Sequence, residues 1–331
     1  MSSFKNVVGH NEIIQYIQDT VRNGTYSHAY ILNGAKGSGK KMLSGLFAMS
    51  LQCEDLQPDG DACGKCHSCK QALSGNHPDI ITVTHESPNT IGVGEIRDQV
   101  VADIEIKPYQ SPHKIYIIPD ADMLSVQAQN SLLKTLEEPP AYAVILLLTR
   151  NAETLLDTIR SRCVVLKLRN IRDTLVKMYL LEQIDIPDDK ANICVAFAQG
   201  NIGQALKLAT NEDFDELRDD LVQLLTKINQ MAMPQVFDAV KHTGKYKISV
   251  VDYLDLISIW YRDILIYKAT RNPNRIVFTD QLPHLKERAI KSSYEGIEKI
   301  LSSIEKTKAR LRANVNFELS MELLFLTIKE N

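Results

Sequence analysis

The sequence predicts an α/β P-loop domain built on a parallel sheet, followed by a short helical segment and an all-α C-terminal region. Three observations carry that expectation. A glycine-rich loop follows a short apolar strand pattern near residue 30. A second apolar strand pattern, at 114–118, runs into acids. Beyond Leu168 the apolar residues recur at helical spacing. The length agrees, because 331 residues at roughly 100–200 per domain give two or three domains. Lys plus Arg number 38 against 41 Asp plus Glu, for a net charge of -3, with 44% hydrophobic residues. This composition is that of a folded chain and excludes a uniformly basic nucleic-acid coat. The apolar run 141–148 is far shorter than the ~20 residues of a membrane span. Residues 1–9 carry one lysine and no long apolar core, so they do not read as a secretory signal. A cytoplasmic location with no membrane partner is expected.

The first strand, Ala29-Tyr30-Ile31-Leu32-Asn33, leads into Gly34-Ala35-Lys36-Gly37-Ser38-Gly39-Lys40-Lys41 and then a helical pattern with Leu43, Leu46 and Phe47 on one face. This is G-x4-G-K in the strand–loop–helix context that the motif requires. Gly34, Gly37 and Gly39 let backbone N–H groups cradle phosphates, and Lys40 reaches toward the terminal phosphates. A glycine-rich turn without a ligand is the plainer alternative. The next position calls for a Ser or Thr hydroxyl to ligate Mg²⁺, and Lys41 stands there instead. After the second strand, the place of the Mg²⁺-ordering aspartate is taken by Pro119. Asp120 and Asp122 follow, with Asp120 the candidate to polarise water. Lys41 and Pro119 damage the same Mg²⁺ site, which argues that hydrolysis is lost as a unit.

Four of the six cysteines fall within 53–69, the last three as Cys63-Gly64-Lys65-Cys66-His67-Ser68-Cys69. In a reducing compartment this spacing favours metal over disulfides. Cys53, Cys63, Cys66 and Cys69 form a tetrahedral set for structural Zn²⁺, with His67 a rival fourth ligand. Reduced thiols in a loop are the other reading. A closed site implies no zinc catalysis. Lys65 and Lys70 are a thin basic patch for a nucleic-acid-binding zinc module. Cys194 lies in an apolar stretch and reads as core.

Several segments resemble the clamp-loader subunits of bacterial DNA polymerase III, which are AAA+ ATPases. Phe4-Lys5-Asn6-Val7-Val8-Gly9-His10 is similar to the adenine-side motif. The four-cysteine insert after the P-loop helix and Gly75-Asn76-His77-Pro78-Asp79 are marks of the family. The densest match is Ala128-Gln129-Asn130-Ser131-Leu132-Leu133-Lys134-Thr135-Leu136-Glu137-Glu138-Pro139-Pro140. Thr149-Arg150-Asn151 resembles the first sensor, with Thr149 the sensor candidate. Ile159-Arg160-Ser161-Arg162-Cys163 matches the Ser-Arg-Cys motif. The likeness is dense over 1–170 and looser beyond, where Trp260-Tyr261-Arg262-Asp263 and Asn314-Val315-Asn316 resemble the oligomerisation domain.

The resemblance implies an AAA+ domain over 1–168, a helical lid over 169–209 and an all-α collar over 210–331. It implies a hetero-oligomer with delta-type and gamma/tau-type subunits, a weak contact with the sliding clamp, and access to primer-template DNA through the assembly. ATP and Mg²⁺ are expected in the neighbouring subunits. The chain departs from the hydrolysing members three times, at Lys41, at Pro119, and at Gly203 in the place of a second-sensor arginine. The implied role is a non-hydrolysing stator that supplies Arg162 in trans to a neighbour's ATP. An active ATPase motor is the alternative. Without the resemblance, Arg162 reads as a surface residue before a buried strand at 164–166, with Arg160 a close decoy. Cys163 reads as packing.

In the C-terminal region, Phe214, Leu217, Leu221, Leu224, Leu225 and Ile228 form one helical stripe. Val250, Leu254, Ile257, Tyr261, Ile264 and Leu265 form a second. Tyr294, Ile297, Ile300, Leu301 and Ile304 form a third, and 317–328 holds a fourth. Such stripes are bundle core. Lys107, Lys114, Lys134 and Arg150 are either a DNA-facing strip or a solvated surface.

Overall fold

Five short apolar segments pair into a parallel sheet: β1 (Ala29–Asn33), β2 (Ile80–Thr82), β3 (Lys114–Ile118), β4 (Ala143–Thr149) and β5 (Val164–Lys167). Their order is β2-β3-β4-β1-β5. β3 and β4 are buried along their whole length and β1 over its first four residues, as expected of parallel strands covered on both faces. Side chains alternate between the faces. Tyr30, Leu32, Ile117 and Leu146 join one core cluster, and Ile31, Tyr116, Ile118 and Ile145 join the other. The structure is a computed structural model that describes residues 3–87 and 89–331; Met1, Ser2 and Pro88 lie outside the described residues.

Around the sheet lie α1 (Asn11–Asn23), α2 (Lys40–Leu51), α3 (His67–Ser74), α4 (Val93–Ile96), α5 (Val126–Glu137) and α6 (Asp157–Arg160). Leu43, Leu46 and Phe47 of α2 pack on the first face, and Leu132 and Leu136 of α5 on the second. The expectation of a buried strand at 164–166 needs correction. β5 is the sheet edge, so only Leu166 is buried and Val165 is 36% exposed.

The insert between α2 and β2 is keyed to its surroundings. The Asp61 carboxylate accepts from the Phe4 N–H at 3.0 Å and the Ser3 hydroxyl at 2.5 Å. Gly60 has φ +84°, and a Cβ there would meet the Gln18 carbonyl oxygen at 2.4 Å. Asp79, 1% exposed, accepts the backbone N–H groups of Tyr109, Gln110 and Ser111 at 2.6, 3.0 and 3.1 Å. That fixes the turn entering β3. His77 bridges the Ser68 and Ser111 hydroxyls at 3.1 and 3.2 Å, so its motif serves the fold. Lys114 is buried against Asp103 at 2.9 Å. It therefore leaves the set of candidate DNA contacts.

The chain has two compact units, one running to Tyr179 with Gln199–Gln204, the other holding Leu180–Ala198 and Ala205–Asn331. The connecting helices are α7 (Asp173–Gln183), α8 (Asp188–Ala198) and α9 (Ile202–Ala209). The second unit continues with α10 (Glu212–Lys227), α11 (Met233–Thr243), α12 (Val250–Thr270), α13 (Leu282–Lys291), α14 (Tyr294–Arg312) and α15 (Phe317–Glu330). Trp260 is buried edge-on to Phe278 at 5.3 Å. Asp263, fully buried, accepts from Val277 and Phe278 N–H at 2.7 and 2.8 Å. Asn314 sits in the left-handed region at φ 57°, and Asn316 caps α15 by accepting from Leu319 N–H at 3.0 Å. The residues named in the helical stripes are core as expected, apart from four. Val250, Leu265 and Leu301 are partly exposed, and Tyr294, at the first position of α14, is 52% exposed with the Lys268 ammonium 5.2 Å from its ring.

Asp79→Ala removes the acceptor of three backbone donors at a buried site. It should cost about 2–4 kcal/mol, because charged hydrogen bonds are lost and donors are left unpaired. Chemical denaturation followed by far-UV circular dichroism measures this, and an unchanged midpoint would contradict the assignment.

Candidate functional site

The sheet register builds the site. Asn33 pairs with Thr149, the Gly34 N–H donates to the Thr149 carbonyl at 3.0 Å, and the end of β3 lies beside the end of β4. The loop after β1, the end of β3 and Thr149 thus meet at the C-terminal edge of the sheet, where parallel α/β sheets bind ligands.

The glycine-rich loop adopts the conformation its sequence anticipates. Gly37 and Gly39 have φ +85° and +93°, and α2 begins at Lys40. The loop's carbonyls are already engaged. Lys40 Nζ donates to the Gly34 and Ala35 carbonyls at 2.5 and 2.9 Å. Asn201 Nδ2 donates to the Lys36 carbonyl at 2.7 Å, and the Gly203 N–H to the Gly37 carbonyl at 3.1 Å. His10, itself at φ 55°, places Nε2 3.2 Å from the Ser38 carbonyl. Every carbonyl from Gly34 to Ser38 therefore has a partner, two of them from the Lys40 ammonium that the motif reserves for phosphate.

A cavity of about 320 Å³ opens on the loop, lined among others by Lys36, Lys40, Lys41, Pro119, Asp120 and Arg150. Lys41 and Pro119, 78 positions apart in sequence, also line a second cavity of about 180 Å³. The two departures from the motif thus converge in space. Burial holds the Lys40 ammonium below its usual pKa; Asp122 and Asp120 oppose that shift and Arg150 adds to it.

Asp122 is the counter-charge of Arg150. It pairs with Arg150 Nη2 at 2.7 Å and accepts the Arg150 N–H at 3.1 Å. Burial pushes its carboxyl up, but the Arg150 bonds outweigh burial and hold it below the ordinary range. Thr149 is fully buried. Its hydroxyl donates to the Asn151 carbonyl at 2.9 Å and lies 3.4 Å from Asp122. Asp120 is exposed at φ 47°. A separate cavity of about 710 Å³ is lined by Gly9, His10, Ile13, Tyr16, Ile171 and Arg172, the side of the adenine-type motif.

Arg162 lies elsewhere, after α6. Its Nη1 donates to the Thr158 carbonyl at 2.7 Å and its Nη2 pairs with Glu137 Oε1 at 2.7 Å. The decoy Arg160 is tied to two acids, Glu153 at 2.7 Å and Asp157. Burial pushes the Cys163 thiol up to about 12, which suits packing and not reaction.

Cys53, Cys63, Cys66 and Cys69 converge, with all four Sγ atoms within 4.8 Å of one another. Tetrahedral Zn–S bonds of ~2.3 Å place sulfurs about 3.8 Å apart, and Cys63 Sγ and Cys69 Sγ stand 3.9 Å apart. The Lys65 and Cys66 N–H groups point at Cys63 Sγ at 3.4 and 3.3 Å and bring its thiol down to about 7. The donor set is compatible with a structural Zn²⁺. Among the described residues His67 is outside this cluster.

Comparison with known proteins follows the same division. The model of the family "DNA polymerase III, delta subunit" matches residues 9–172, and that of its C-terminal region matches 212–330. DNA polymerase III subunit delta' of Bacillus subtilis (strain 168) is 30% identical over 322 residues, covering 96% of this chain and 95% of that protein. The chain belongs to the delta-prime family of DNA polymerase III clamp-loader subunits. It is also similar to the tau subunit of the same organism, at 30% identity over 80% of this chain and 50% of that one. Among solved structures, a gamma subunit-related protein of Thermotoga maritima aligns over 96% of this chain and 98% of that one, at 18% identity and a TM-score of 0.45.

The delta-prime sequence announces the glycine loop and the cysteine set, because their spacing is local. It gives no warning that Asn201 and Gly203 close on the loop, or that Glu137 meets Arg162. The paired glycines Gly200 and Gly203 were the available signal. A Cβ on Gly203 would lie 2.6 Å from the Gly37 carbonyl oxygen, so only glycine fits there.

Gly203→Ala should destabilise the first unit by about 1–3 kcal/mol, the range for overpacking, and speed amide exchange at 34–40. Unchanged exchange would contradict the contact. Purified protein should carry one zinc per chain by atomic absorption. Cys63→Ser should lower that content together with the thermal midpoint, and a zinc-free wild type with the same midpoint would count against the metal.

Proposed function

We propose that this delta-prime-type subunit works as a non-hydrolysing stator. It sits in a hetero-oligomeric clamp loader with delta-type and gamma/tau-type subunits and supplies Arg162 in trans to ATP bound by a neighbour. The assembly opens a sliding clamp and places it on primed DNA; this chain touches the clamp weakly and reaches DNA through the assembly. The observation that carries the reading is the convergence of Lys41 and Pro119 on one cavity. Neither side chain can order Mg²⁺ where a hydroxyl and a carboxylate are needed. The engagement of Lys40 with its own loop supports it. In this reading residues 169–209 serve as a lid and 210–331 as a collar that packs on sister subunits. The four cysteines hold Zn²⁺ as a structural ion, with no part in chemistry. No helix among the described residues is long and apolar enough to cross a membrane.

The finger follows from the chemistry of arginine. A guanidinium is planar, permanently charged and carries five N–H donors. Placed against transferring phosphoryl oxygens, it stabilises charge that develops in the transition state. Arg162 is 34% exposed at its side chain, while Arg160 is held by two carboxylates. A motor role is the second reading, supported by Lys40 and Asp120 lining one cavity.

One set of assays separates the two readings. The isolated chain should show no Mg²⁺-dependent ATP turnover, whereas turnover abolished by Lys40→Ala would establish the motor. In a reconstituted loader, Arg162→Ala should reduce DNA-stimulated hydrolysis at the site it serves by roughly 10³-fold or more, and Arg160→Ala should leave it unchanged. A wild-type rate with Arg162→Ala overturns the finger.

A further inference from the structure

We infer that Glu137, at the last position of α5, is the positioning residue that aims Arg162, an inference that rests on the arginine-finger reading above. The juxtaposition is direct. Glu137 Oε1 stands 2.7 Å from Arg162 Nη2, and the Thr158 carbonyl accepts from Nη1 at 2.7 Å. The guanidinium is thereby held at both terminal nitrogens. Nη1 also reaches the Ser161 hydroxyl oxygen at 3.5 Å, so of its five N–H donors Nε–H and the second N–H of Nη2 remain for phosphate oxygens.

Helix energetics alone do not account for Glu137. The C-terminal end of a helix carries partial negative charge and favours cations. Here α5 ends in two acids, Glu137 and the capping residue Glu138. A local rule broken at one place points to a demand from elsewhere, and the Arg162 guanidinium is what meets the carboxylate. Pro139 and Pro140 follow at once. They end the helix and restrict the backbone of Glu138, the residue between them and Glu137.

The scaffold beneath the pair is fixed. The buried Gln129 of α5 donates to the Leu124 carbonyl at 3.1 Å and accepts the Leu156 N–H at 2.8 Å. It thereby ties α5 to the segment that leads into α6. Leu132 and Leu136 of α5 and Ile159 of α6 share one core cluster. Glu137 and Arg162 are therefore presented by elements that are locked together, as a preorganised group requires. The pair is half-exposed, at 34% and 49%. An ion pair in that setting is weak, so it selects an orientation without competing strongly against a phosphate.

The test uses the reconstituted loader, with assembly of every variant checked by gel filtration. Glu137→Ala should lower kcat of DNA-stimulated ATP hydrolysis by about fivefold, the most that an exposed pair supplies, with KM unchanged. Glu137→Gln keeps an oxygen acceptor and should recover most of that loss. In the Arg162→Ala background, Glu137→Ala should cost nothing further. A wild-type or raised kcat in Glu137→Ala would overturn the inference, as would an equal loss with and without Arg162. A wild-type rate in Arg162→Ala would instead remove the finger itself, an outcome read from the other variant.

Discussion

The parallel register of β1 against β4 is the constraint on which the rest of the first unit depends. Pairing Asn33 with Thr149 brings the glycine loop, the end of β3 and the Asp122–Arg150 pair to one edge. It also sorts the strand side chains between two cores. A one-residue slip would exchange those faces and separate the loop from Thr149. Fold and site are therefore set by the same hydrogen bonds.

The carbonyls of the glycine loop are bonded within the protein. In the phosphate-binding form of the motif, backbone N–H groups and a lysine face a ligand. Here the lysine bonds the loop's own carbonyls, and Asn201, Gly203 and His10 take the remainder. Each carbonyl from Gly34 to Ser38 is engaged by a group of the protein itself. The loop thus keeps its shape as a meeting point for β1, α2 and the 199–204 segment.

Much of this was legible in the sequence. The strands at 29–33 and 114–118, the loop, Lys41, Pro119 and the cysteine set follow from periodicity and local spacing. Contacts between distant segments were not legible. Asn201 and Lys36 are 165 positions apart, and no pattern encodes which carbonyl an asparagine will find. Burial failed where topology decided it. Val165 belongs to an apolar strand, yet the strand order leaves it at an edge. Tyr294 continues a helical stripe but occupies the first turn of α14, beyond the core. Lys114 looked like surface charge, and Asp103 draws it inside.

The contact between Gly203 and Gly37 also constrains the substitutions open to this chain. Two backbones lie where neither residue has room for a Cβ, since one on Gly37 would meet Asn201 Oδ1 at 2.7 Å and one on Gly203 the Gly37 carbonyl at 2.6 Å. An arginine at position 203 cannot arrive first. The 199–204 segment would have to move off the loop before any long side chain could be accepted there. The closed loop therefore excludes any side chain at 203 for as long as the 199–204 segment stays on it.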